Sequence, residues 1–244
     1  MWGMIVLLPI WVAISFIAAQ FITGILLAAL DFLQFSLLET MSNAVFQTII
    51  SSFIYILTLV IVAGVPYWLK KKRTNLKVLG LDSLPTWTDI GLSPMAYIGY
   101  LIIGYIASYL VVVLIPSFPI DQAQDIGFQV LGRQYEYALA FLTLVVIAPI
   151  AEETLFRGYL YGKLQKYVPI IPALLATSLL FGFAHLFTAN QLQWNVALDT
   201  FILSIVLCLL RNITGSIWAG ILLHMIKNGI AFFILFGGAM SLMT

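Results

Sequence analysis

Apolar stretches of about twenty residues or more recur along this chain, the length an α-helix needs to cross the roughly 30 Å hydrocarbon core of a bilayer. In hydrocarbon every backbone N–H and C=O must find its partner within the protein, so such stretches fold as helices packed on helices. Composition agrees, because 62% of the 244 residues are hydrophobic and 9% charged, too few charges to clothe a soluble domain. The expected fold is all-α: a polytopic membrane helical bundle of about eight transmembrane helices, near 4–30, 44–69, 94–115, 136–164, 170–188, 195–210, 214–227 and 229–243. The last two are short. Residues 1–244 read as a single integral membrane domain. Met1-Trp2-Gly3-Met4 lacks the basic start of a secretory signal, and the run to Leu30 exceeds such a signal's apolar core, so the first stretch reads as a retained span.

A net charge of +1 gives no reason to expect nucleic acid as a partner. Cys208 is the single cysteine, which excludes a disulfide framework and a cysteine metal cluster within one chain. Orientation follows from Lys and Arg near span ends, which mark the cytoplasmic side. Lys70, Lys71, Lys72, Arg73 and Lys77 follow the second span; with that loop inside, Lys163, Lys166 and Arg211 share its side, opposite Arg133 and Lys227. Asp31, Glu39, Asp121, Asp125 and Glu136 fall on the outer segments. With an even number of spans, both termini are then cytoplasmic. The loop 70–93 mixes its charges with Leu79, Leu81, Leu84 and Trp87 and reads as a lipid-surface anchor in the headgroup layer.

Against this apolar background Glu152, Glu153 and Arg157 stand out. An ionisable side chain in hydrocarbon costs on the order of 2.5–3.5 kcal/mol on insertion scales, so three this close imply partners or a wet cavity. On a helix Glu153 and Arg157 are i and i+4 in the favoured acid-first order, a pairing that reads as structural. Glu152 lies about 100° round the helix from Glu153 and points elsewhere. The span carrying them is about 29 residues, roughly 43 Å as a helix, so it must tilt, kink or project. Pro149 is the expected kink, freeing a backbone carbonyl one turn back that protein or water must satisfy. Gly158 and Gly162 have the GxxxG spacing that lets another helix approach closely.

The two histidines of the chain, His185 and His224, both lie in apolar spans. Phe181 precedes His185 by four residues and would wall its face; Asn228 follows His224 by four, sharing a face with it, and Gly220 lies one turn before. Asp199 and Gln193 would face an outer vestibule or another helix. Glu152, His185 and His224 fall near mid-depth in their spans, so three helices can offer polar groups to one cavity.

Glu-Glu-x-x-x-Arg at 152–157, Phe-x-x-x-His at 181–185 and His-x-x-x-Asn at 224–228, in this order on successive apolar spans, resemble the three motifs of the CAAX protease and bacteriocin-processing family, also called the Abi family. The resemblance covers about residues 136–236, the protease-family core. It implies an intramembrane glutamic endopeptidase without metal or other cofactor, acting on a lipidated or membrane-bound peptide or protein. By the resemblance Glu152 and His185 activate the attacking water, His224 and Asn228 stabilise the oxyanion, and Glu153, Arg157 and Phe181 support them.

The chemistry is coherent. A carboxylate in a water-poor cavity is a competent base, and imidazole and carboxamide N–H groups are donors for developing negative charge. No Ser-x-x-Lys or Gly-x-Ser-x-Gly arrangement argues for a serine enzyme. Two alternatives stand beside this reading. Glu152, His185 and His224 could form a His₂Glu zinc site, although the chain lacks His-Glu-x-x-His. A non-catalytic membrane immunity or binding protein could use the same cavity to hold a peptide.

Overall fold

The structure, a computed structural model, describes residues 2–34, 40–71, 73–122, 124, 126–128, 131–187 and 191–241. Glu39, Lys72 and Asp125, which bear on orientation, lie outside the described residues. Among the described residues the chain is helical: α1 Met4–Phe32, α2 Asn43–Lys70, α3 Leu76–Leu79, α4 Trp87–Leu114, α5 Gln134–Leu164, α6 Ile170–Ala184, α7 Trp194–Thr214 and α8 Trp218–Ser241. Six of these, α1, α2, α4, α5, α7 and α8, are long and apolar enough to cross a membrane, and α6 is a shorter apolar helix of 15 residues, about 22 Å. The all-helical, multi-pass membrane architecture is the one the apolar runs require.

Helix ends follow local chemistry more than hydropathy. α4 starts at Trp87 instead of 94, because Thr86 and Asp89 form a reciprocal capping box: Asp89 Oδ2 accepts from the Thr86 N–H at 2.8 Å and Thr86 Oγ1 from the Asp89 N–H at 3.2 Å. α6 stops at Ala184, short of the expected 188, with His185 as its C-cap. The expected spans 214–227 and 229–243 are one helix, α8, about 36 Å long. Asn228 and Gly229 do not break it, since an unbroken helix satisfies its own backbone and the Asn228 side chain bonds elsewhere.

α5 departs from regular α-winding twice. Leu142–Ile147 and Thr154–Tyr161 are π-helical, leaving a short α-helical segment, Ala148–Glu153, that carries Pro149 and both glutamates. Such i→i+5 windings are rare and concentrate at functional sites.

Backbone contacts divide the chain into two compact units, with boundaries between Glu152 and Glu153 and between Leu223 and His224. The first unit comprises Met1–Pro9, Asn75–Asp125 and Glu153–Leu223. Its core packs Tyr100 of α4 with Ile202, Leu203, Val206, Leu207 and Leu210 of α7 and with Ala219 and Leu223. α6 meets α7 closely at Gly182, where a Cβ would lie 2.8 Å from the Ala197 carbonyl oxygen. Asp199 accepts from the Tyr100 hydroxyl, so it faces another helix, one of the two placements expected for it.

In the same unit the GxxxG pair of α5 has an identified neighbour. A Cβ at Gly158 would lie 3.0 Å from the Leu79 carbonyl oxygen, and one at Gly162 would press on that of Val78, so the glycines admit the backbone of α3. Arg211 of α7 gathers the carbonyls of Lys77, Val78 and Gly215, and the Ile217 N–H bonds the Gly80 carbonyl at 3.2 Å. The loop expected to lie in the headgroup layer is therefore docked on protein along α3, while Leu84 and Trp87 remain exposed as an anchor would be.

The second unit comprises Ile10–Thr74, Ile126–Glu152 and His224–Thr244. Its core joins Ala44, Phe128, Tyr137, Ala140, Val145 and Phe232, with Phe141 edge-on to Phe232 at 5.3 Å between centroids. Polar contacts tie its helices: Trp11 Nε1 donates to the Val62 carbonyl at 3.2 Å, and Thr143 Oγ1 to Thr48 Oγ1 at 3.0 Å.

Candidate active site

The glutamate turn is built around a missing donor. In the first π-helical stretch of α5 the Ala148 N–H reaches back five residues to the Thr143 carbonyl. In that register the Leu144 carbonyl would be served by residue 149, which is proline and has no N–H. Asn228 of α8 supplies the donor, with Nδ2 at 2.9 Å from the Leu144 oxygen. The partner is a carbonyl, so the carboxamide must present its nitrogen. The carbonyl expected from the proline is thus satisfied by protein, and the winding changes where a kink was expected.

About two turns on from Leu144, within the same unit, Glu152 divides its two carboxylate oxygens between helices. Oε1 accepts a hydrogen bond from the Tyr55 hydroxyl of α2 at 2.8 Å, and Oε2 lies 3.9 Å from His224 Nε2 of α8. The first is a short, good O–H···O bond; the second is beyond direct hydrogen bonding and is a separation at which one water molecule can touch both atoms. His224 is 4% exposed and the Glu152 side chain 13%, so the carboxylate is sheltered yet reachable. His224 and Asn228 share a face of α8, as their spacing requires; the first faces Glu152 and the second bonds the Leu144 carbonyl about two turns earlier in α5.

The first unit holds the other group of motif residues. Glu153 Oε1 pairs with Arg157 Nη1 at 3.2 Å, both side chains at 1% exposure or less, as the i, i+4 spacing anticipates. The Arg157 guanidinium lies 4.3 Å over the Phe181 ring, which is itself 4.6 Å from the His185 ring and edge-on to Phe156 at 4.8 Å. Phe181 is therefore the wall of His185 and the platform of Arg157 together. Its carbonyl accepts from His185 Nδ1 at 2.8 Å; a carbonyl can only accept, so the proton sits on Nδ1 and Nε2 is the basic nitrogen. Gly220, where room for a backbone or substrate was expected, makes room for Glu153: a Cβ there would lie 3.1 Å from its Oε2.

Glu152, His224 and Asn228 are thus brought together in one unit, and Glu153, Arg157, Phe181 and His185 in the other. The carboxylate read from the helical wheel as pointing away from Arg157 does so, but its partners include Tyr55, which sequence reasoning passed over. The signal was there: Tyr55 lies about 18 Å along α2 from its start, away from the interfaces where membrane tyrosines concentrate. Among the described residues no three His, Cys, Asp or Glu side chains are gathered as a metal ion would need.

No curated protein and no solved structure matches the chain. Residues 134–230, from the start of α5 into α8, match the family model described as Type II CAAX prenyl endopeptidase Rce1-like, the same family of membrane proteases that the three motifs resemble.

Proposed function

We propose that this chain is a metal-independent intramembrane endopeptidase that cleaves a peptide bond in a lipidated or membrane-associated protein. The observation that carries the reading is the Glu152 carboxylate, set in an apolar bundle with Tyr55 on one oxygen and His224 facing the other. Glu152 takes a proton from water as the water oxygen bonds to the scissile carbonyl carbon. The charge moved onto the carbonyl oxygen is met by His224 and by the N–H of Asn228 not used on Leu144. The proton on Glu152 then passes to the amide nitrogen as the C–N bond breaks, giving a carboxylic acid and an amine. His185, with Nδ1 protonated, offers Nε2 to the second water hydrogen; its partnership with Glu152 is taken from the family resemblance.

The family description supports a prenylated CAAX-type substrate, and the membrane lipid around the bundle is the solvent in which such a chain would be presented. The basic loop after α2 faces the cytoplasm, and the N-terminus shares its side after two crossings. With α8 a single helix and the shorter α6 counted as a crossing, the proposed topology has seven crossings and a C-terminus on the far side, where eight spans would put it in the cytoplasm.

The test is turnover of a prenylated CAAX-type peptide in detergent or liposomes by wild type, Glu152→Gln and His185→Ala, before and after exhaustive chelation with elemental analysis. Wild type should cleave it with or without chelator, and both variants should lose turnover while melting as wild type does. Activity abolished by chelation and restored by zinc alone, at one zinc per chain, would instead establish the His₂Glu metalloprotease.

A further inference from the structure

We infer that Tyr55 is a positioning residue for Glu152, a role that rests on Glu152 being the base. An ionised carboxylate is an acceptor only, so at 2.8 Å the phenol must be the donor, and its single proton is committed to Oε1. That leaves Oε2 as the oxygen turned towards His224, 3.9 Å away, where the water would sit. A glutamate side chain has three rotatable bonds, and nothing in its covalent structure decides how its carboxylate is turned towards the imidazole. The phenol decides it. Misplacing a reacting atom by about 1 Å can cost roughly a hundredfold in rate, so fixing the carboxylate rotamer is a catalytic contribution even though Tyr55 need not touch substrate.

Tyr55 of α2 and His224 of α8 both face Glu152 from helices packed around it in this unit. Along its own helix the neighbouring Glu153 pairs with Arg157. Tyr55 is separable from simple helix adhesion, because α2 and α5 are also joined by the Thr48–Thr143 hydroxyl pair at 3.0 Å. Tyr55→Phe keeps the ring and that second tie and deletes only the donor.

The experiment uses the full chain in liposomes with a fluorogenic prenylated CAAX-type peptide as probe, comparing wild type, Tyr55→Phe, Glu152→Asp and the double variant, with Glu152→Gln as reference. Tyr55→Phe should lower kcat by about ten- to a hundredfold with KM within about twofold, and should still melt cooperatively, about 3–12 °C below wild type, as the loss of one hydrogen bond to a charged group implies. In the Glu152→Asp background, where the carboxylate is already withdrawn from the phenol, the same substitution should cost several-fold less. The infrared difference spectrum of Tyr55→Phe against wild type should carry a carboxylate-band shift that vanishes in the Glu152→Gln background. A kcat equal to wild type, or equal losses in both backgrounds, would overturn the inference. If Glu152→Gln turned over normally, the reading of Glu152 as base would fall and the positioning role with it, while the infrared band would still report the contact.

Discussion

Glu153→Gln tests whether the first motif's second glutamate holds the fold or does the chemistry. Arg157 is fully buried, and among the described residues its Nε, Nη1 and Nη2 have no hydrogen-bond partner. What compensates the cation is the Glu153 carboxylate at 3.2 Å and the Phe181 face at 4.3 Å. The substitution keeps the shape and one acceptor oxygen but removes the countercharge, and breaking one side of a buried pair costs about 3–5 kcal/mol. At about 2–4 °C per kcal/mol for a chain of this size, the melting temperature should drop by roughly 6–20 °C. Thermal unfolding of the purified variant in one detergent is the assay. The control is Glu153→Gln with Arg157→Met, which removes the stranded cation and lays a thioether on the Phe181 ring; it should melt above the single variant. A single variant that melts with wild type, or a double variant that melts below it, would refute the reasoning.

Gly162→Leu should eject α3 from α5, because a side chain there meets the Val78 carbonyl; limited proteolysis within 71–86 should accelerate at least several-fold. Asn228→Ala should strand the Leu144 carbonyl and cost about 1–3 kcal/mol in a thermal melt, and Pro149→Ala in the same chain, by restoring a backbone N–H, should recover part of that. Single cysteines at 75 and at 244, probed with a membrane-impermeant thiol reagent in a Cys208→Ser background, should label from opposite sides of the membrane; labelling of both from one side would restore an even number of crossings.

How much of this was legible in the sequence depended on range. The all-helical bundle was, because apolar run length in hydrocarbon leaves one solution, and so was Glu153–Arg157, an interaction confined to one turn of one helix. The start of α4 was written as Thr86-Trp87-Thr88-Asp89 but masked by a hydropathy rule that counts those residues against a span. The join of the last two spans was misplaced for the same reason: Asn228 reads as polar and breaking until its partner is known. That partner, Leu144, is 84 positions away, and Tyr55 is 97 positions from Glu152; the mid-span place of Tyr55 marks it as unusual, but local sequence names the partner of neither. The π-windings were invisible because a reading that assumes 3.6 residues per turn cannot register a departure from it.

Two adjacent glutamates can differ so completely because the helix turns between them and each meets a different set of neighbours. Glu153 is satisfied along its own helix by Arg157, with Gly220 clearing the space its carboxylate occupies. Glu152 is satisfied across helices, by a phenol of α2, and faces an imidazole of α8. The first arrangement is closed, with a buried cation that forbids a change of charge. The second leaves an oxygen across a water-sized gap from an imidazole nitrogen. Both glutamates lie on the short α-helical segment between two π-helical ones, where successive residues turn by about 100°, and the Asn228 bond to Leu144 secures the entry to that segment where Pro149 cannot. The proline that interrupts the backbone ladder and the asparagine expected at the oxyanion are therefore two halves of one device. One Asn228 N–H holds the Leu144 carbonyl at the entry to the segment that bears Glu152, and in the mechanism proposed above the other meets the oxyanion, so replacing Asn228 should reduce turnover through both the oxyanion and the base.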